Sequence, residues 1–246
     1  MIIALASDFD NTLYFHNTEE RFYAQDVFEI LFFQKRGGIF GICTGRSPDS
    51  VFDNIGTFIR PDFIISVSGA LIVDGKGNVL ESHSIAPAVT EKICREFEEE
   101  AEMVVHAGGH VYCFGEAEYP LQIRIGSFEE LPQDAIYGIS MRFKSVGAAA
   151  EAASLIREKY GAEAAPFQNV NHVDVVAAGC SKGAGAARVR ELFGIEKLGG
   201  IGDSYNDLPL IETADVGFTF PGAPEELRAA ADEIVLSVSQ AIERLG

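Results

Sequence analysis

The sequence predicts an α/β protein, a doubly wound parallel sheet into which an α+β module is inserted. Up to residue 68, apolar segments typical of buried strands alternate with helical segments, as in parallel strands joined by crossover helices. Over 84–176, one helix followed by paired strands occurs twice instead, and the earlier alternation then resumes. We therefore expect a discontinuous sheet domain, 1–83 with 177–246, and a separate module of about 90 residues, a common domain size.

Three short apolar segments predict the first strands, because each stops at a polar loop as a buried strand does. A helix is expected over 18–36, with Asn17 as its cap and Gly37-Gly38 at its end. Ser47 can cap the next helix, which has proline in its first turn. The strands cover 2–7, 38–43 and 62–68, and a hairpin that turns at 75–78 follows them.

The inserted module is predicted to contain two helices, 87–102 and 146–160. After it, a helix begins near Ser181 and the alternation of strands and helices continues to the C-terminus. The strands of the module are expected on both sides of a turn at 107–109 and over 122–126, 136–143 and 169–177. The last segments are strands at 198–201, 214–220 and 232–236, and helices at 206–214, 223–231 and 239–245.

The formal net charge of −18 restricts the kinds of partner. Nucleic-acid-binding proteins usually carry a basic face, so nucleic acid is not expected as a partner. The long-range field would also repel an anionic small molecule, so a site for such a molecule must be made positive locally. A metal ion, a lysine and backbone N–H groups are the groups that could do this.

The cysteines and the N-terminus indicate a cytoplasmic protein. The cysteines show no CxxC pair and no metal-type spacing, so isolated buried thiols in a reducing compartment are expected. The N-terminal segment lacks a basic region and soon meets Asp8, unlike a signal peptide. No apolar run approaches membrane-spanning length, so no membrane partner is expected. The cysteines are Cys43, Cys94, Cys113 and Cys180.

Asp8 and Asp10 follow the first predicted strand and are two residues apart. In an extended chain such residues point the same way, so both carboxylates can face one cleft. Ligands of parallel sheets bind outside the carboxyl ends of the strands, where these residues fall. Two carboxylates this close repel unless a cation or a proton separates them, and a hard divalent cation suits their oxygens. A polar turn that only closes the strand is the alternative.

Three further segments place polar groups near strand ends. Thr44 and Gly45 offer a hydroxyl and backbone N–H donors before a helix, an arrangement that suits an anion. Lys182 begins a helix and is followed by small residues that allow close approach. Asp203 and Asp207 are four residues apart, so one helical turn can bring them to one face. Each segment alone also fits an ordinary role as a turn, a solvated charge or a helix cap.

In chain order, the segments DFDNTL, CTGR, SKGAG and GDSYND resemble the four motifs of the haloacid dehalogenase superfamily. The best match is the Cof-type subgroup of sugar and small-metabolite phosphatases, which carry a large α/β cap between the second and third motifs. SVSGA at 66–70, the hairpin after it and the GDxxND form of the fourth motif point to this subgroup. The resemblance covers nearly the whole chain. It implies a Rossmann-like core, 1–83 with 177–246, and a cap, 84–176.

The chain departs from the family pattern without losing a catalytic group. Asn11 stands where the family usually has glycine, and Ser68 stands where many members have asparagine. Pro221-Gly222 replaces a more usual Asn-Ala, and the customary glycine-valine ending is missing. These departures concern the substrate contacts and the mouth of the site.

The resemblance implies a Mg²⁺-dependent phosphatase. Asp8 would be the nucleophile that takes up the phosphoryl group, and Asp10 would act first as acid and then as base. Mg²⁺ would be held by Asp8, the backbone carbonyl of Asp10, and Asp203, with Asp207 helping directly or through another residue. The residues implied to bind the substrate, a small-molecule phosphate ester, are Thr44, Gly45, Arg46, Lys182 and Asn206.

The cap would be a lid that excludes water and contacts the leaving group. His106, His110 and Arg124 are its candidates for substrate selection, although a lone histidine is often structural. Two alternatives remain at this stage: a phosphotransferase or mutase that uses the same aspartate, and a non-catalytic module that binds a phosphorylated metabolite. The subgroup implies a sugar phosphate as the substrate class, and the sequence leaves the oligomeric state open.

Overall fold

The computed structural model describes residues 1–16, 18–117 and 121–246, which contain two β-sheets. The strands of the large sheet, in order across it, are β14 (Glu233–Ile234), β13 (Val216–Thr219), β12 (Lys197–Ile201), β1 (Ile3–Ser7), β2 (Ile39–Cys43), β3 (Phe63–Ser66), β4 (Leu71–Asp74) and β5 (Val79–Ser82). Neighbouring strands from β14 to β3 are parallel, and β4 and β5 add an antiparallel hairpin.

Helices cover both faces of the large sheet. On β1, Leu5 points to the face covered by α1, α2 and α8, whereas Ala4 and Ala6 point to the face covered by α5 and α6. This alternation is the period of two expected of a strand buried on both sides, so the doubly wound class is confirmed. The helices are α1 (Ala24–Lys35), α2 (Pro48–Ile55), α5 (Lys182–Phe193), α6 (Leu208–Thr213), α7 (Glu225–Ala230) and α8 (Val238–Leu245).

The cap contains the second sheet, with α3 (Pro87–Phe97) and α4 (Val146–Tyr160) packed on one of its faces. The opposite face is turned toward the core, where Val176 joins the core cluster that contains Val67. The pairing is antiparallel except between β7 and β8. Across the sheet the strands are β10 (Ala164–Asn169), β11 (His172–Ala177), β9 (Ile136–Phe143), β6 (Ala101–Ala107), β7 (His110–Cys113) and β8 (Gln122–Arg124).

The first helix begins later than the predicted residue 18. The hydroxyl of Thr18 donates to the carbonyl oxygens of Glu20 (2.5 Å) and Phe15 (3.2 Å), which closes a turn that competes with a helix. Tyr23, in an extended conformation, precedes the first turn of α1. The predicted cap, Asn17, lies outside the described residues.

The predicted strand 169–177 corresponds to β11, which begins only at His172, and the strand that pairs with it in a hairpin, β10, was missed. The chain turns at Val170, which has a φ of 52°, and Asn169 pairs with His172 across the turn. Pro166 disfavours a central strand, but β10 is at the edge of the sheet, where proline is tolerated. The helix predicted over 87–102 likewise ends at Phe97, because β6 begins at Ala101.

The strand predicted to reach residue 68 ends at Ser66 and continues into a short 3-10 turn. The N–H of Val67 donates to the carbonyl of Arg46 (3.0 Å), and that of Ser68 donates to the carbonyl of Thr44 (3.0 Å). The loop after β3 is therefore tied to the loop after β2.

All four cysteines are buried free thiols, as the sequence indicated. Among the helices of the described residues, none is both long enough and apolar enough to cross a membrane.

Candidate active site

The candidate site lies where the parallel strands β1, β2 and β12 end side by side. Asp8 directly follows β1, and its N–H donates to the carbonyl of Ile201 at the end of β12 (2.8 Å). Thr44 directly follows β2, and its N–H donates to the carbonyl of Ile65 (2.8 Å). These main-chain hydrogen bonds hold both residues at the edge of the sheet, and both are buried.

Lys182, only 2% exposed, joins two of the motif segments. Its Nζ donates to Asp8 Oδ1 at 2.6 Å and to Asp207 Oδ1 at 2.5 Å. A buried ammonium needs such partners, because an unpaired charge is costly away from water. Ser181 caps helix α5, with its hydroxyl oxygen accepting from the N–H of Ala184 (3.0 Å). This cap fixes where the helix begins and so positions Lys182, its first residue.

Asp207 is fully buried and uses both of its carboxylate oxygens. Oδ1 accepts from Lys182, and Oδ2 accepts from the N–H groups of Asp203 (3.1 Å) and Ser204 (3.0 Å). The segment is a 3-10 turn, Tyr205–Asp207, ahead of α6, rather than the start of the predicted α-helix. The turn thus brings Asp203 and Asp207 together through a side chain to main chain contact.

Asp8, Asp203 and Asp207 form an acidic cluster, in which one ligand oxygen from each lies within 4.8 Å of the others. Burial and then the charge of Asp207 raise the pKa of Asp8 well above its usual range, although Lys182 opposes this. The same two causes raise the pKa of Asp203 to about 6. Burial alone would lower the pKa of Lys182, but Asp207 and Asp8 raise it well above its usual value. Three carboxylates against one ammonium favour a divalent cation with oxygen ligands.

The side chain of Asp10 faces a different partner. Its two oxygens accept from Nε (2.8 Å) and Nη2 (2.7 Å) of Arg46, and His16 Nε2 lies 2.6 Å from Oδ1. The guanidinium of Arg46 in turn stands over the rings of Phe9 and Tyr14, at 5.2 and 5.3 Å from their centroids. The structure therefore places the Asp10 carboxylate in a charged pair beside the acidic cluster, and its carbonyl as a metal ligand stays a prediction.

Thr44, Gly45 and Asn206 lie in loops that border the cluster. The hydroxyl oxygen of Thr44 accepts from the N–H of Arg46 (3.2 Å), which holds the turn after β2. The side-chain oxygen of Asn206 accepts from the hydroxyl of Ser204 (2.7 Å) within the 3-10 turn. Asn11, at the usual glycine position, has a φ of 60°, a conformation that asparagine adopts more readily than most residues.

Comparison with known protein families identifies the family of this chain. A family model described as haloacid dehalogenase-like hydrolase matches residues 5–242, almost the whole chain. The chain belongs to this family. No curated protein sequence matches this hydrolase significantly.

Solved structures with the same fold include several members of the haloacid dehalogenase (HAD) superfamily. A haloacid dehalogenase-like hydrolase from B. subtilis superposes with a TM-score of 0.86 at 20% identity, over 99% of both chains. A phosphatase of the superfamily from Bacteroides thetaiotaomicron gives a TM-score of 0.80 at 20% identity, over 100% of this chain and 94% of that one. A subclass IIB sugar phosphatase gives 0.78 at 20% identity, over 98% of both.

The cap residues predicted to select the substrate lie in three different settings. His106 is buried in the small sheet, where Nε2 lies 3.0 Å from Ser140 Oγ, and burial lowers its pKa to about 4. His110 is at the rim, with Nδ1 3.1 Å from Asp49 Oδ2 of the core. Arg124 is exposed at the end of β8, an edge strand.

Sequence reasoning missed three contacts of this hydrolase. Thr12 donates to Asp203 Oδ1 (3.2 Å), and its place in the DFDNT segment was the available signal. His16 contacts Asp10, and no pattern in the sequence singled it out. Asp174 of the cap approaches Gly45, and its position in an alternating strand gave no sign of this.

Proposed function

We propose that this hydrolase is a Mg²⁺-dependent phosphatase that cleaves a small phosphorylated metabolite, with sugar phosphates as the substrate class, through an aspartyl-phosphate on Asp8. The observation that carries the proposal is the buried contact of Lys182 with Asp8 and Asp207. It aligns a carboxylate beside a fixed positive charge, which is what a carboxylate nucleophile needs in order to attack an anionic ester.

In the first step an oxygen of Asp8 forms a bond to phosphorus while the bond from phosphorus to the leaving oxygen breaks. Asp10, once protonated and released from its pair with Arg46, would give its proton to that leaving oxygen, which departs as an alcohol. In the second step Asp10 takes a proton from water, and the water oxygen attacks the phosphorus on Asp8. Phosphate leaves and the Asp8 carboxylate is restored. Lys182, the Thr44 hydroxyl and the N–H groups of the loop hold the phosphoryl oxygens.

The donor set fits Mg²⁺, because Asp8 and Asp203 offer hard oxygen ligands in a cluster with excess negative charge. When bound, Mg²⁺ supplies positive charge that neutralises the phosphoryl oxygens. Both oxygens of Asp207 are engaged, by Lys182 and by two N–H groups, so we assign Asp207 the positioning of Lys182.

The experiment is phosphate release from a panel of phosphorylated metabolites, with Mg²⁺ and with a chelator in its place. We expect turnover of at least one sugar phosphate with Mg²⁺ and none with the chelator. Acid quenching after a ³²P-labelled substrate should leave label on the wild-type protein and none on Asp8→Asn. Full activity in chelator or unchanged turnover by Asp8→Asn would contradict the proposal.

The acceptor is tested in the same assay. Transfer of label to an added sugar instead of release as phosphate would identify a phosphotransferase. Retention of a metabolite without turnover would identify a binding module. The cytoplasmic location stays a prediction from the sequence.

A further inference from the structure

A row of polar side chains crosses the face of the cap sheet that is turned toward the core. Ser140 Oγ donates to Asp174 Oδ1 at 2.6 Å and lies 3.0 Å from His106 Nε2. Asp174 and Ser140 are direct partners across neighbouring strands. Gly138, two residues before Ser140 and on the same face, is so close to the core that a Cβ there would lie 2.7 Å from Val67 Cγ1. The row therefore faces the loop after β3.

Asp174 meets the core at Gly45, in the loop after β2. A Cβ at position 45 would lie 2.7 Å from Asp174 Oδ2 and 3.5 Å from Ser68 Oγ. Not even a methyl group fits between Gly45 and Asp174. A leaving group can therefore enter this place only if the cap moves away from the core. Since Gly45 is one residue after Thr44, this is also where a leaving group would emerge from the phosphoryl site.

Ser68 has an unused polar group at this place. The residue is 2% exposed, and its hydroxyl has no hydrogen-bond partner among the described residues. Its φ of 49° is a conformation that serine seldom adopts, and the N–H bond to Thr44 holds it there. A buried hydroxyl without a partner is costly, so a ligand that satisfies it gains from the contact.

The acidic group at this place, Asp174, interacts electrostatically with Lys182 of the proposed active site. Burial raises the pKa of Asp174, while the hydrogen bond from Ser140 and the positive charges of His172 and Lys182 oppose this. Lys182 is thus near enough to act on Asp174 electrostatically. A leaving group between them would have the cationic lysine on its phosphate side and a carboxylate on its other side.

We propose that Asp174 and Ser68 form the subsite for the leaving group, and that this subsite selects hydroxyl-bearing leaving groups that are uncharged or cationic over those with a second anion. A substrate hydroxyl would donate to Asp174 Oδ2 and accept from the Ser68 hydroxyl. A carboxylate or second phosphate on the leaving group would face Asp174 at close range, where like charges repel strongly. This inference rests on the proposed phosphatase function and narrows its substrate class.

The test compares kcat/KM for three six-carbon 6-phosphates that differ in charge: glucosamine 6-phosphate, glucose 6-phosphate and 6-phosphogluconate. The readout is the ratio of kcat/KM for glucosamine 6-phosphate to that for 6-phosphogluconate. In Asp174→Asn, which keeps the shape and can still accept from Ser140, we expect this ratio to fall at least about tenfold. Asp174→Glu, which keeps the charge, should keep the preference for the cationic ester.

Two further variants test the general charge of the cap and the hydroxyl of Ser68. Glu158→Gln removes one negative charge from an exposed position on α4, the cap helix on the opposite face of the sheet, and should leave the ratio unchanged. Ser68→Ala should lower kcat/KM for glucose 6-phosphate relative to p-nitrophenyl phosphate, which has no hydroxyl on its leaving group. This second variant decides the inference if Asp174→Asn fails to fold.

The outcomes are distinct. A ratio in Asp174→Asn within about twofold of the wild type overturns the inference and leaves the phosphatase function intact. An equal fall of the ratio in Glu158→Gln overturns it too, because the general charge of the cap would then explain the preference. Phosphate release from none of the esters by the wild type overturns the proposed function, and this inference with it.

Discussion

The core and the cap both place polar side chains where the two meet, but they hold them in different ways. In the core, Asp8 and Lys182 stand where strands and helices meet, and buried ion pairs fix them. In the cap, Ser140 and Asp174 lie within antiparallel strands, and a hydrogen bond across the sheet fixes them. In the proposed function, chemistry common to all phosphate esters is thus attached to strand ends, whereas the proposed contacts to the leaving group lie on a sheet face. Alternate residues of such a face can change without altering the fold.

The largest effect should come from Asp8→Asn, which tests whether the acidic cluster of the core supports turnover at a cost in folding stability. We expect turnover to fall to background. We also expect the metal-free protein to become more stable at neutral pH, because a raised pKa means that ionised Asp8 costs folding free energy. Phosphate release and thermal unfolding in chelator measure the two effects.

The sign follows from proton binding. A carboxyl whose pKa is raised on folding keeps its proton longer in the folded chain, so the free energy of unfolding decreases as pH rises from the ordinary pKa through the raised one. The wild type should show this decrease in chelator, and Asp8→Asn should show less of it. The exposed Asp53→Asn is the control, with no expected change. A variant that melts lower than the wild type in chelator would contradict the assignment.

The next largest effect should come from Lys182→Ala. This variant tests whether the core acts on all substrates alike while the cap sets their order. In the proposed mechanism the lysine contacts the phosphoryl group that all substrates share, so kcat/KM should fall for every ester in the same proportion, by about 10²–10³-fold. Arg124→Ala, in the cap, should change the order of substrates instead. Rates with sugar phosphates and one aryl phosphate distinguish the two patterns. Proportional losses in the cap variant and a changed order in Lys182→Ala would reverse the division.

A smaller effect concerns the buried histidine of the cap. Burial lowers the pKa of His106 to about 4. An unfolded chain takes up this proton near pH 6.5, so the free energy of unfolding should fall by up to about 3 kcal/mol as pH drops from about 6.5 to about 4. Urea unfolding at about pH 7.5 and about pH 5 measures this, and His106→Gln should lessen the difference. His172→Gln, at an exposed position of β11, should retain it. If the difference in the free energy of unfolding between the two pH values shrank equally in both variants, His106 would be excluded as its cause.

The smallest effect is expected at the rim, where His110 of the cap contacts Asp49 of the core. Both side chains are more than half exposed, at 54% and 52%, so the pair should contribute less than about 1 kcal/mol. A double-mutant cycle with His110→Ala and Asp49→Ala measures the coupling, with KM for a sugar phosphate as a second readout. A tenfold change in KM would show that this contact, rather than the cleft, controls closure of the cap.

Local features of the sequence determined much of the fold. Helix α4 spans the predicted residues 146–160, Ser47 caps the helix that it was expected to cap, and α5 begins beside Ser181 as expected. These features follow from caps and apolar spacing within a few residues, which a sequence displays directly. The order of the four motif segments was likewise visible, and with it the expectation that Asp8, Lys182 and Asp207 would meet.

The tertiary structure decided what depends on residues far apart in the chain. Strand β10 forms by pairing with β11 at the edge of the small sheet, against the local preference of Pro166. Asp10 pairs with Arg46, 36 residues away, because the ends of β1 and β2 are neighbours. Asp174 approaches Gly45 because the cap sheet folds over the core. Burial and charge pairing of this kind arise when separate segments pack, and no local pattern contains them.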